Sequence, residues 1–449
     1  MKRIFISLSL LVLSVISTYA QSDNSTFSET LSPYTMYGLG SLSDQSNSAS
    51  LGMNGVGIAF RDGNRINPLN PASYSSVDSL SFIFDISGSM QTTRFNENGN
   101  RSIVGTGSFD HIIAGFRAVK NVGVAFGMIP YSEIGYNFSS QTPVKNQQGG
   151  GFYPEDETFS LTQTSTYTGE GGIQQIFIGS GWQPVKGLSI GFNAAYMWGK
   201  VNRDVTCTYS DSDVKSLYKL YKNNVHSYKL TFGTQYTYEL NNKDNVTLGA
   251  TYTPGHKFTG ETELYYISAN IGSGVIDTTK YVAPGGRHLP TELAVGLAFK
   301  HSDKWQIGLD YSLQKWSSIE SSNYENGGVK MPESTGSYND RHKFNIGGEW
   351  CRNPLGRRFL DKVRCRAGFS YTSPYLKLNT INGVADGPRE IAASIGFGLP
   401  IINAYNNRSM INIGLKWVNE AGSAINTNAL ILNIGIKFNE RWFAKWRFE

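Results

Sequence analysis

From residue 79 onward, apolar and non-apolar positions alternate with period two, again and again. In the stretch from Leu188 to Trp198 every even position is apolar. Leu293, Val295, Leu297 and Phe299 repeat the pattern against Glu292, Ala294, Gly296 and Ala298. Trp305, Ile307, Leu309, Tyr311 and Leu313 do so against Gln306, Gly308, Asp310, Ser312 and Gln314. Ile411, Ile413, Leu415 and Trp417, then Leu430, Leu432, Ile434, Ile436 and Phe438, close the series. A helix would scatter these residues around its axis; a strand puts them on one face.

Such segments predict strands near 79–92, 107–118, 121–138, 172–184, 187–208, 225–240, 245–262, 291–301, 304–318, 341–351, 362–379, 389–403, 409–418 and 428–438. Connections alternate between long (93–106, 139–171, 209–224, 263–290, 319–340, 380–388, 419–427) and mostly tight, such as Lys120, Val185-Lys186 and Ser302-Asp303. Long outer loops, short periplasmic turns and an even strand count are the layout of a bacterial outer-membrane barrel. The expected fold is therefore all-β: one transmembrane antiparallel barrel of about fourteen strands.

Composition separates this barrel from its rivals. Only 17% of residues are charged and mean hydropathy is −0.30, too low for a bundle of membrane helices. A soluble β-sandwich also alternates, but its wet face is rich in Lys and Glu. Here the second face is mostly Gly, Ser, Asn, Thr and Gln. Trp182, Trp305 and Trp350 fall on the turn side of the strands, Trp198 and Trp417 on the loop side, as two interfacial girdles require. The formal charge of +5 includes Lys2 and Arg3 and is too small to imply nucleic-acid binding.

The first 78 residues read differently. Lys2 and Arg3, the apolar run Ile4 to Ile16 and a cleavage site at Thr18-Tyr19-Ala20 make residues 1–20 a secretory signal peptide. Residues 21–78 keep no period. A barrel of about fourteen strands has a lumen too wide for its own wall residues to fill. Residues 21–78 are thus expected to be a hatch that plugs the lumen of a barrel spanning 79–449, or else a periplasmic tail.

Gly52-Met-Asn-Gly55-Val-Gly57-Ile-Ala59, a polar spacer, and Asn70-Pro71-Ala72 before the first strand resemble the hatch signature of the long-chain fatty-acid transporter family, the FadL-type barrels. The predicted third strand, Asn121 to Gly135, carries Pro130 where that family has a Pro-containing apolar run. The resemblance implies a fourteen-stranded barrel, an N-terminal hatch and a kinked third strand that opens sideways to the membrane. Asn67-Pro68 duplicates the Asn-Pro step, an acidic pair is reduced to Asp62, and Phe448 lies one residue before the end; these depart from the family pattern. PorV-like relatives, which shuttle protein cargo, share the signature.

Pro130 has no N–H for a ladder and central strands exclude proline. With Gly127 and Gly135 beside it, the third strand is expected to bend, leaving a lateral opening or a plain bulge. By parity Lys229, Glu239, Glu292, Asp310, Glu349, Arg364, Arg366, Lys416 and Lys437 face inward, where charges of both signs can hold a polar plug. Ile83, Ile129, Phe177 and Met197 also face inward, as candidate contacts for an amphipathic ligand or for the hatch. Lys and Tyr interleave from Lys215 to Lys229, a segment that suits lipopolysaccharide phosphates at the outer rim or a solvated loop.

Catalytic motifs are lacking: there is no Gly-x-Ser-x-Gly, His-Glu-x-x-His, Cys-x-x-Cys or phosphate-binding loop. The six histidines are scattered, and His111 is the one expected to face the lumen near Asp110. Cys207, Cys351 and Cys365 are an odd number, with Cys351 and Cys365 expected on opposite faces. Asp211 and Asp213 fit a solvated loop better than a metal site. No cofactor and no catalysis are expected. The sequence points to an outer-membrane diffusion channel for hydrophobic or amphipathic small molecules, contacting outer-membrane lipid and lipopolysaccharide. The alternative is a barrel subunit of a protein-secretion or envelope-assembly complex with protein partners on its outer loops.

Overall fold

The computed structural model describes residues 32–97, 100–144, 161–211, 213–270, 272–284, 288–319, 323–326, 329–332, 338–380, 383–401, 408–422 and 425–441. The expected signal peptide at 1–20 and the beginning of the 21–78 segment lie outside them. Fourteen antiparallel strands close a barrel. They are β1 (Ser81–Glu97), β2 (Asn100–Val119), β3 (Val122–Pro143), β4 (Thr162–Val185), β5 (Leu188–Tyr209), β6 (Ser216–Glu239) and β7 (Asp244–Thr253), followed by β8 (Thr291–His301), β9 (Trp305–Lys315), β10 (Arg341–Cys351), β11 (Arg364–Thr372), β12 (Arg389–Pro400), β13 (Met410–Ala421) and β14 (Asn426–Arg441). β1 pairs with β14 from Ser81↔Arg441 to Asn96↔Asn426, so the sheet has no outer edge.

The alternation becomes an inside and an outside. On β8, Leu293, Val295 and Leu297 are 43–53% exposed, while Ala294 and Ala298 are 3% exposed. The same holds on β9, β12 and β14, where Ile307, Leu309, Ile395, Phe397, Leu430 and Ile434 face out. Exposed apolar side chains in a continuous belt belong in lipid, and backbone groups there must be satisfied by a closed ladder. The protein is an outer-membrane β-barrel.

The strand ends depart from expectation on the outer side. The expected loop 93–106 is instead a hairpin, paired down to Glu97↔Asn100. β3 and β4 pair out to Pro143↔Thr162, and the outer part of β6 pairs with a hairpin of Glu261–Asn270 and Val275–Pro284. Beyond the bilayer both faces of a strand are wet, so the sequence there loses its period without losing its ladder. The Lys–Tyr segment is part of this raised sheet: Lys222 Nζ lies 5.3 Å from the Tyr265 ring and Lys219 Nζ 5.5 Å from the Tyr266 ring.

Residues 32–78 fold inside the barrel. Of their three short helical turns, two sit at the centre of the plug, Ser48–Leu51 capped by Asn47 and Pro71–Ser76 capped by Asn70. Each cap side chain also reaches a distant carbonyl: Asn47 Nδ2 donates to Ile66 O at 2.8 Å, and Asn70 Nδ2 to Ile58 O at 2.8 Å. The plug is thereby closed on itself as well as on the wall.

Candidate functional site

The hatch comes so close to the wall because the wall is made of glycine where they meet. A Cβ on Gly123 would occupy the Tyr74 carbonyl, one on Gly191 the Pro71–Ala72 peptide, and one on Gly249 the Ile58 carbonyl. Gly368 lies in the same way against Met53–Asn54, and Gly396 against Gly52. These luminal glycines sit on β3, β5, β7, β11 and β12, so the cradle runs round much of the barrel. Alternation alone does not reveal this signal, which is glycine recurring on the luminal parity of strand after strand. Gly123→Ala should therefore unseat the hatch, seen as a lower urea midpoint and a rise in planar-bilayer conductance. Gly88→Ala, whose nearest contact is 3.4 Å away, should change neither.

Side chains finish the attachment. Asp310 on β9 accepts from the amides of Gly57 at 2.6 Å and Ile58 at 3.0 Å. Glu349 on β10 takes Arg65 of the hatch together with Arg364 and Arg366 of β11, at 2.5, 2.5 and 2.7 Å. Asp62 pairs with Arg65 at 3.3 Å. Burial would raise the Asp62 carboxyl, but Arg65, Lys300 and Arg364 together hold it well below the usual carboxylate range. Further along, Asn412 Nδ2 donates to Ser48 Oγ, which donates to Asp85 Oδ2 at 2.8 Å, and His111 Nε2 stands 3.4 Å from that carboxylate. His111 is fully buried there.

The hatch signature residues are thus brought together: Gly52, Gly55 and Gly57 line one arm of the plug, Asn70, Pro71 and Ala72 the other, joined by the Asn70–Ile58 bond. Gly55 has φ 81° and faces the Asp44 carboxylate, with no room for a side chain.

On β3 the ladder breaks. Its pairing with β2 runs from Val119↔Val122 up to Ile112↔Met128 and stops. Above that point β2 pairs only with β1. The edge of β3 that β2 leaves is taken by the hatch: Ser41 pairs with Glu133, Leu42 with Ser132, and Ser43 N donates to Tyr131 O at 3.0 Å. Pro130 sits at a register shift against β4, and Gln45 Nε2 donates to its carbonyl at 2.7 Å. Gly135 accepts from Ser32 N at 3.3 Å and from Thr35 Oγ1. Gly127 lies on the next-to-last rung, packed on the Ile112 carbonyl. Across the interval, Ser108 Oγ donates to Glu133 Oε2 at 3.2 Å.

Behind this break lies a cavity of about 380 Å³ between the hatch and the outer end. Ser108, Phe109, Ile129, Tyr131, Glu133 and Phe177 line it on the side of the break. Lys229, Arg341, Lys343 and Lys416 face it with Asp44, Glu292, Glu390 and Glu420, so it is polar with one apolar flank. Ile129 and Phe177 stand on it as the parity predicts. Ile83 and Met197 do not: Ile83 is packed in a cluster with Ile66, Tyr74 and Val77 of the hatch, and Met197 in one with Tyr131, Ile173, Phe258 and Trp316. Of the inward charges, Glu239 is misplaced by parity. It pairs with Lys186 at the exposed turn, where the strand leaves the wall.

A family model, BamG, matches residues 1–449. The chain belongs to the BamG family. Solved structures share its architecture at low identity. The CymD monoaromatic hydrocarbon channel is 14% identical with a TM-score of 0.60, covering 91% of this chain and 100% of its own. A Pseudomonas aeruginosa FadL homologue is 12% identical, TM-score 0.59, covering 88% and 99%. The Ralstonia pickettii toluene transporter TbuX is 14% identical, TM-score 0.56, covering 89% and 99%. None of the curated proteins matches the sequence. This BamG-family barrel has the FadL-type architecture expected from its hatch and third strand.

Proposed function

We propose that this BamG-family barrel is a passage for amphipathic small molecules across the outer membrane, entered from outside and left sideways between β2 and β3. The observation that carries the reading is the ladder that ends at Ile112↔Met128 with a cavity directly behind it. Residues 21–78 act as the hatch that denies an axial route, so the side break is the way out. Unpaired backbone at membrane depth is tolerable where it lines a cavity. The relatives CymD and TbuX are described as a monoaromatic hydrocarbon channel and a toluene transporter. The charged lining beside Ile129 and Phe177 favours a cargo with a polar head over a bare hydrocarbon. Diffusion down a gradient requires neither cofactor nor catalysis. Mass spectrometry of the protein purified in a short-chain detergent should find a stoichiometric amphiphile that Phe177→Trp displaces; an empty cavity in both forms would count against the passage.

A second reading is a barrel subunit of an envelope-assembly complex. The match to the BamG family over the whole chain favours it, as do sheets that stand beyond the bilayer. Proteins co-purifying in fixed ratio with an empty barrel would support this reading over the first.

A further inference from the structure

Two of the most exposed apolar side chains are not on the lipid-facing belt. Leu355 is 92% and Leu360 76% exposed, with Phe359 beside them at 44%. All three lie in the connection from β10 to β11, at the barrel end that holds the start of β1 and the end of β14, the periplasmic end. Other described turns on this rim, at 120–121, 186–187, 240–243 and 302–304, are tight; this one runs from 352 to 363.

The connection is a built knob. Cys351 N donates to Lys304 O at 2.6 Å, Asn353 N to Asp361 O at 2.8 Å and Gly356 N to Asn353 O at 3.0 Å. Leu355 N donates to Asn353 Oδ1 at 3.2 Å, and Phe359–Lys362 makes one helical turn. Trp350 and its cross-strand partner Trp305 mark the membrane interface just before the knob starts, so its tip stands in the periplasm rather than in lipid. Arg352, Arg357 and Arg358 are exposed around the leucines, and the knob's one acid, Asp361, is 3.8 Å from Arg352. Lys362, in the same helical turn, is a fourth cation of the knob. Elsewhere on the rim the charges balance: Lys186 pairs with Glu239, and Lys243 and Lys304 stand beside Asp244 and Asp303.

Apolar side chains ringed by arginine on a preformed projection have the make-up of a binding hot spot, with little ordering left to lose on association. We propose that residues 352–363 dock a periplasmic protein that offers an apolar recess bordered by Asp and Glu. The charge steers the approach and the leucines fill the recess. The inference is independent of what passes through the cavity.

The test places a photo-crosslinking amino acid at Leu355, at Leu360 and, as control, at Asn241, in the full chain in growing cells. One discrete protein adduct from both knob positions and none from Asn241 is expected. Arg357→Glu with Arg358→Glu should cut it about tenfold, with barrel abundance and heat-modifiable migration unchanged. The protein so identified, once purified, should bind the detergent-solubilised barrel more weakly as salt is raised. Adducts with phospholipid alone, no adduct, or an adduct indifferent to the charge reversal would overturn the proposal.

Discussion

Replacing Glu349 by Gln is expected to cost the barrel about 3–5 kcal/mol, the range for removing one partner of a buried ionic group. Glu349 is 5% exposed and is the shared acceptor of Arg65, Arg364 and Arg366. Without its charge three guanidinium groups share one neutral amide oxygen, with Asp62 left as counter-charge for Arg65 and Asn412 as a further acceptor for Arg366. Arg65→Gln removes one donor and leaves Glu349 two, so it should cost less and act on the hatch rather than on the wall. Urea unfolding in detergent, followed by tryptophan fluorescence, should show the larger midpoint shift for Glu349→Gln. Equal shifts, or none, would mean that the cluster does not hold the plug.

How far the sequence disclosed all this depends on which physics wrote each part. Leu293, Val295 and Leu297, or Leu430, Leu432 and Ile434, had to be apolar because lipid faces them, so their strands are legible. Arg94, Asn96, Arg101 and Ser102 extend the same hairpin where water lies on both sides, and nothing in their pattern says strand. Pro130 announced a fault in the ladder through its missing N–H. Its replacement partner, Ser41-Leu42, is a two-residue pairing that leaves no period to detect. Parity told which way Ile83 and Met197 point but not at what depth, and depth decides whether a side chain meets hatch or cavity. The pattern of the third strand marks Gly127 and Gly135 as bend points. The structure gives them different work: Gly127 lets β2 and β3 close on each other, and Gly135 receives the N-terminal segment.

The gap carries the second large expected effect. If cargo leaves between β2 and β3, a covalent bridge across the interval should stop it while leaving the fold intact. Ser108 and Glu133 already touch there at 3.2 Å, and both line the cavity. Neither makes a rung of the β2–β3 ladder, so Ser108→Cys with Glu133→Cys should fold normally. The natural cysteines, Cys207, Cys351 and Cys365, are first replaced by Ser to keep the chemistry local. A short bis-thiol reagent then ties the strands, and a disulfide-containing version allows release. The decisive measurement is uptake of a labelled long-chain amphiphile by cells carrying the double-cysteine barrel, before bridging, after it, and after reductive release. The lateral route predicts uptake that falls to background on bridging and returns on release, with surface abundance constant. Uptake that continues undiminished through the bridged state would contradict it.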